Sequence, residues 1–162
     1  MTWRGTTTIP DRLFACLPYL LPLFGAIRFG YISGLIDLLG LQWLYFVVAP
    51  VIFVYSILGN YASLIIFFAL FLLVVRNEKI NHFIRYNTMQ ALLLDIILYL
   101  CGLVLPVVGL LGAAAKMLLS TTLASTIFLG IFVAIVYSVA QSLMGRYAEI
   151  PTISEAVYAQ VR

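Results

Sequence analysis

The sequence predicts an all-α fold, a polytopic transmembrane helical bundle, and three observations predict it. First, 64% of the 162 residues are hydrophobic and 9% are charged, with a mean hydropathy of +1.13. A soluble domain averages roughly 45–50% apolar and about 25% charged residues. Nine basic and six acidic side chains cannot clothe such a core in water, which excludes a soluble enzyme, and disorder needs the opposite composition. Second, no Asp, Glu, Lys or Arg occurs from Leu38 to Val75, from Ile96 to Ala115, or from Met117 to Gly145. A spanning helix needs about 20 mainly apolar residues. Third, the apolar runs lack the period-two alternation of a membrane β-barrel. Their backbone groups must therefore be satisfied inside helices.

The elements follow in order within a single membrane domain over residues 1–162. The first expected span, 12–29, holds Pro18 and Pro22 and is expected to kink. It has the apolarity of a signal peptide, but no A-x-A-like site follows it, and nothing ahead of it resembles an Arg/Ser-rich transit peptide. An apolar segment follows at 41–58 with Pro50 near its middle and Gly59-Asn60 as a turn signal. The second span is 61–75, a Phe- and Leu-rich run. A polar loop at 76–87 leads into the third span, 88–111, for which Asn81 is a candidate N-cap. A small-residue connection around Lys116 precedes the fourth span, 122–145, and residues 146–162 form a polar tail.

Lysine and arginine set the orientation. Arg76, Lys79 and Arg85 place the 76–87 loop on the cytosolic or stromal side, and two further spans return Arg146 and Arg162 there, leaving Lys116 outside. If 41–58 crosses the bilayer, Arg4 and Arg12 lie outside and Arg28 inside. If it is re-entrant or interfacial, Arg4 and Arg12 lie inside. The second arrangement has the better charge count and gives four spans with both termini inside.

Chemistry is sparse. His82 is the single histidine, so neither a metal cluster nor an intramembrane Ser–His dyad is expected. There is no phosphate-cradling glycine loop. No catalytic, cofactor or metal residue is assigned, and the chain is read as a non-enzyme. Cys16 and Cys101 sit at depths that differ by roughly 15 Å, too far apart for a disulfide. Asp95 is the acidic residue well inside a span, about 8 residues past Asn87 and hence roughly 12 Å deep. An ionisable group at such depth faces the bundle or a water path and signals function, or else it holds helix register through a hydrogen bond. Asn87 and Asp95 share a helical stripe, and Tyr137 and Ser138 are expected at the depth of Asp95 as its partners. The amides Asn77, Asn81, Asn87 and Gln90 supply donors and acceptors near the interface, which suit either a solvated connector or the vestibule of a pathway.

These residues carry a family resemblance. Residues 12–24 (RLFACLPYLLPLF), 75–91 (VRNEKINHFIRYNTMQA) and 147–156 (YAEIPTISEA) resemble the Tic-twenty family, named for the twenty-kilodalton subunit of the translocon at the inner envelope of chloroplasts. The specific part is Arg76-Asn77, His82-Phe83-Ile84-Arg85, Asn87, Met89-Gln90 and Asp95. The resemblance implies four transmembrane helices and both termini on the stromal or cytosolic side. It also implies a role in a preprotein-conducting pathway with other translocon-type membrane subunits and unfolded polypeptide as partners, alongside the lipid bilayer. Nucleic acid is not among the expected partners, and a homo-oligomer is compatible with the resemblance. Plant members typically carry a transit peptide, and the departure here suggests a cyanobacterial or plastid-encoded member, in a cyanobacterial or plastid inner membrane. A small ion or solute channel or carrier, and a structural subunit of a membrane complex, are the competing readings. A water-filled groove reaching Asp95 favours a pathway, and a dry bundle favours the structural subunit.

Overall fold

In a computed structural model of the chain, residues 7–108, 113–151 and 153–161 are described, with backbone alone for 108 and 113–116. Arg4, the side chain of Lys116, and Arg162 therefore lie outside the described residues. Helix α1 (Ile9–Cys16) opens with a reciprocal cap: Thr8 N donates to Asp11 Oδ2 at 3.0 Å and Asp11 N donates to Thr8 Oγ1 at 3.4 Å. Two of the helix's orphan amides are satisfied this way. Pro18 lacks an amide hydrogen, and the chain tightens into a 3-10 turn at Leu17–Tyr19 before α2 (Leu20–Ile32). The expected kink is present. Short α3 (Leu35–Leu38) leads through a 3-10 turn at Leu41–Trp43 into α4 (Leu44–Leu58), which contains Pro50.

A further 3-10 turn, Gly59–Tyr61, joins α4 to α5 (Ala62–Leu70). The segment at 41–58 and the span at 61–75 thus merge into one helical run of 35 residues, Leu41–Val75. A straight helix of that length would measure about 50 Å against a hydrocarbon core of about 30 Å, so the breaks at Gly59 and Phe71–Val75 have room to tilt or fold it. Phe71–Val75 is a π-helical turn, closed by Arg76 N donating to Phe71 O at 3.0 Å. Then follow α6 (His82–Val108), α7 (Ala113–Leu143) and α8 (Ile153–Gln160). Four helices are long and apolar enough to cross a membrane. The described residues are mostly helical and contain no strand, and the chain is an all-α polytopic membrane bundle.

The core forms where α2 packs on α7 and α6, its largest helix–helix interfaces. Ala26, Ile27 and Phe29 share a buried cluster with Leu94, Ala124, Phe128 and Ile135. Gly30 permits the close approach of α2 and α7: a Cβ there would lie 2.8 Å from the Phe128 ring and 2.9 Å from Ile36 Cγ1. The Leu41–Val75 run is peripheral. Only 6% of its most apolar window is buried, against 56% for Ile9–Ile32. It touches the bundle through Val48 and Val51 and through the Tyr55 ring, 4.9 Å from that of Phe24.

One end of the bundle gathers the chain's polar segments. Asn81 Oδ1 accepts from Phe83 N at 3.0 Å, capping α6 as expected, while Asn81 Nδ2 donates to Asp11 Oδ2 at 3.2 Å. Arg12 Nη1 donates to Leu143 O at 3.4 Å, meeting the carbonyl end of α7. There α7 stops at Gly145 in the left-handed region (φ 73°), and a Cβ on it would come within 2.6 Å of Thr7 Oγ1. The tail returns as α8, with Val157 and Val161 buried in a cluster with Tyr86, Met89 and Leu92. The expected polar tail is therefore a docked amphipathic helix.

Candidate functional site

Two polar assemblies stand out. The first is a buried layer at the polar end, built around the first turns of α6. Val75 ends its helix and so leaves its carbonyl open, and Arg85 Nε donates to it at 2.8 Å, so a buried guanidinium has a backbone acceptor. Two residues on, Asn87 Oδ1 accepts from Tyr19 Oη at 3.0 Å and from Ser142 Oγ at 2.7 Å, while its Nδ2 donates to Phe83 O at 2.8 Å. Asn87 thereby joins the kink of the first span to α6 and α7. Gln90 Nε2 donates to Ser138 Oγ at 3.1 Å, and the Gln90 and Gln141 carbonyl oxygens are buried without a partner among the described residues.

The tail closes this layer. His82 Nδ1 lies 3.1 Å from Tyr147 Oη, and its Nε2 lies 3.4 Å from Val161 O. The Tyr147 ring packs edge-on against Phe83 and Tyr86 at centroid distances of 5.2 and 4.9 Å, a geometry that aromatic pairs favour. Tyr86 Oη donates to Ala148 O at 3.4 Å. Of the residues singled out in the sequence, His82, Arg85, Asn87, Gln90 and Ser138 meet in this layer. Arg76 is exposed and Asn77 turns back on its own loop, accepting from Lys79 N at 3.1 Å. Tyr137 is 41% exposed, on the outer face of α7.

Asp95 belongs to the second assembly, and its expected bond to Tyr137 or Ser138 is absent. The reason is register. Asn87–Ser142 and Gln90–Ser138 fix α6 and α7 antiparallel, which sets Val133 and Ala134 at about the level of Asp95. Its half-buried carboxylate instead faces a cavity of about 900 Å³ between α2, α4, α5 and α6. Phe24, Gly25 and Arg28 line it from α2, and Tyr55 and Ser63 line it from the peripheral run. Two other cavities, of about 530 and 750 Å³, are apolar. The smaller is walled by Pro18 and Leu21 on one side and by Val54, Ile66 and Leu70 on the other.

The sequence reading missed Tyr19, Ser142 and Arg28. The signal for Arg28 was available, because it follows Phe24 and Gly25 at four- and three-residue spacing on one helix face. Tyr19 and Ser142 carried no such local signal, since Asn87 joins them only through the fold.

Comparison with known proteins agrees with this architecture. A family model described as chloroplast import apparatus Tic20-like matches residues 7–157. A Tic20 family protein of Synechocystis sp. is 42% identical, covering 100% of this chain and 99% of that protein. Protein TIC 20-II, chloroplastic, of Arabidopsis thaliana is 31% identical over 96% of this chain and 74% of its own length. Tic20 family protein Ycf60 of Porphyra purpurea is 31% identical over 99% and 80%. An integral membrane bundle matched over nearly its whole length by this family model, the chain belongs to the Tic20 family.

Proposed function

We propose that the protein is a non-enzymatic component of a polypeptide-translocation pathway in a cyanobacterial or plastid inner membrane, acting with other membrane subunits. The observation that carries the reading is the match of residues 7–157 to an import-apparatus family. Geometry adds two supports. The cavity beside Asp95 gives the bundle a recess with a carboxylate and an arginine in its lining, which a purely structural subunit does not need. The peripheral run Leu41–Val75 leaves an apolar surface for lipid or for neighbouring subunits. In this reading the layer around Arg85, Asn87 and Gln90 is the rigid frame, and the peripheral run is the part that yields to a passing chain. The polar end, with both termini and the 76–81 loop, faces the cytosol or stroma, as its basic residues favour.

The test is photo-crosslinking in native membranes from a reactive side chain at Val54 or Leu70, with exposed Val104 as the control position. Polypeptide adducts at the first two positions and lipid adducts at the third are expected. Lipid adducts alone at all three would refute the pathway reading. A second reading, an ion or solute carrier, is favoured by Arg28 and Asp95 lining one cavity. Solute flux without polypeptide adducts would select it.

A further inference from the structure

The recess beside Asp95 differs in chemistry from the two apolar cavities. It combines one carboxylate with aromatic walls: Phe24 and the tyrosines at 45, 55 and 99 all line it. On α6 the lining residues Asp95, Leu98, Tyr99 and Gly102 recur at three- and four-residue spacing, so one helix face forms the wall. Gly25 lets α2 come close, since a Cβ there would sit 3.5 Å from an Asp95 carboxylate oxygen and 3.1 Å from Leu98 Cδ1. Among the described residues, no hydrogen bond or ion pair reaches that carboxylate. A partly buried carboxylate with no partner is costly, and a counter-charge relieves that cost.

We propose that this cavity binds an organic cation, an ammonium or guanidinium group, with Asp95 as counter-charge and the aromatic rings as walls. The inference deepens the translocation reading by naming what the pathway recognises. A metal ion fits poorly, because Ca²⁺ takes 6–8 oxygen ligands and no group of three His, Cys, Asp or Glu occurs among the described residues. Aromatic faces attract cations that shed water easily. A volume of about 900 Å³ holds a side-chain-sized group with space to enter and leave. Arg28, exposed at the cavity's edge, is a like charge that keeps the grip weak and release fast. The cation has two sources of the same chemistry: a basic side chain on a passing polypeptide, or a free small amine.

The full chain in nanodiscs is titrated calorimetrically with butylguanidinium, with butyrate as a charge control, and with the blocked tripeptides Ala-Arg-Ala and Ala-Gln-Ala. Butylguanidinium binds and butyrate does not. Asp95→Asn weakens binding by about tenfold or more, as expected for losing a charged partner, while Asp95→Glu retains it. Arg28→Gln, at an exposed position, strengthens it several-fold. Equal binding of Ala-Arg-Ala identifies a polypeptide side chain as the source, and binding of butylguanidinium alone identifies a free amine. Absence of binding to the wild type, or unchanged affinity in a folded Asp95→Asn protein, overturns the proposal. If Asp95→Asn fails to fold, a failure of Arg28→Gln to strengthen binding overturns it instead. Polypeptide crosslinks at Leu70 without cation binding would discard this inference and leave the translocation reading standing.

Discussion

Asn87 concentrates more of the fold in one side chain than any other residue of the polar layer. It takes two hydrogen bonds from separate helices and is fully buried. Interhelical hydrogen bonds in membranes average about 0.6 kcal/mol and reach about 1.7. Asn87→Ala should therefore cost about 1–2 kcal/mol, Ser142→Ala about half of that, and the double variant less than the two together, because they share a bond. Reversible unfolding in mixed micelles checks the order, and equal costs for the two single variants would contradict it. Asn87 and Gln90 were legible as polar residues at a membrane interface, but their burial was not. A buried amide reads from sequence as a solvated one until its partners are known, and Tyr19, Ser138 and Ser142 lie far along the chain.

Helices α6 and α8 show where local pattern suffices and where it fails. Asn81 announced the cap of α6, and the charge-free runs announced the long apolar helices. The cap placed the start of α6, but the polar stretch 76–87 gave no sign that Arg85 is buried; its acceptor is the Val75 carbonyl, left open where the preceding helix ends. The docked α8 was legible in part, since Ile153, Val157 and Val161 recur every fourth residue. Its low hydropathy hid that stripe. Burying the two valines contributes about 1.5–3 kcal/mol each as an upper estimate. Val157→Asp should release the tail, costing about 2–4 kcal/mol of docking while the spans stay helical. Limited proteolysis should then cut after Tyr147 many times faster than in the wild type. Unchanged protection would mean that His82 and Tyr147 alone hold α8.

At the scale of the whole molecule, the end that carries α1, the 76–81 loop and α8 should lie on one side of the membrane. In a protein carrying Cys16→Ala and Cys101→Ala, both native cysteines being free thiols, Lys79→Cys and Glu155→Cys should react with an impermeant maleimide from the cytosolic or stromal side alone. Lys116→Cys should react from the opposite side alone. Arg4→Cys decides between four and five crossings, and its labelling from the side opposite Lys79 would overturn the four-span topology. Charge counting left that choice resting on one arginine. The structure adds a contact the count could not supply, Asp11 to Asn81, joining the first span's start to the loop.

The same gathering of distant segments bears on how the chain is made. The first helix finds one of its partners late: Arg12 bonds to the carbonyl of Leu143, 131 residues later in the chain. At about 5–20 residues per second, that interval lasts roughly 7–26 s. Throughout it, the most embedded span of the finished protein has only lipid, the ribosome's insertion machinery or a chaperone against the face that α7 will cover. Its apolar stripe tolerates the wait, and Tyr19 meets Asn87 at mid-chain, but the bonds from Arg12 to the Leu143 carbonyl and from Ser142 to Asn87 form only when synthesis is nearly complete. The polar layer is therefore completed only from the carboxyl end of the chain, once Leu143 and Ser142 are in place.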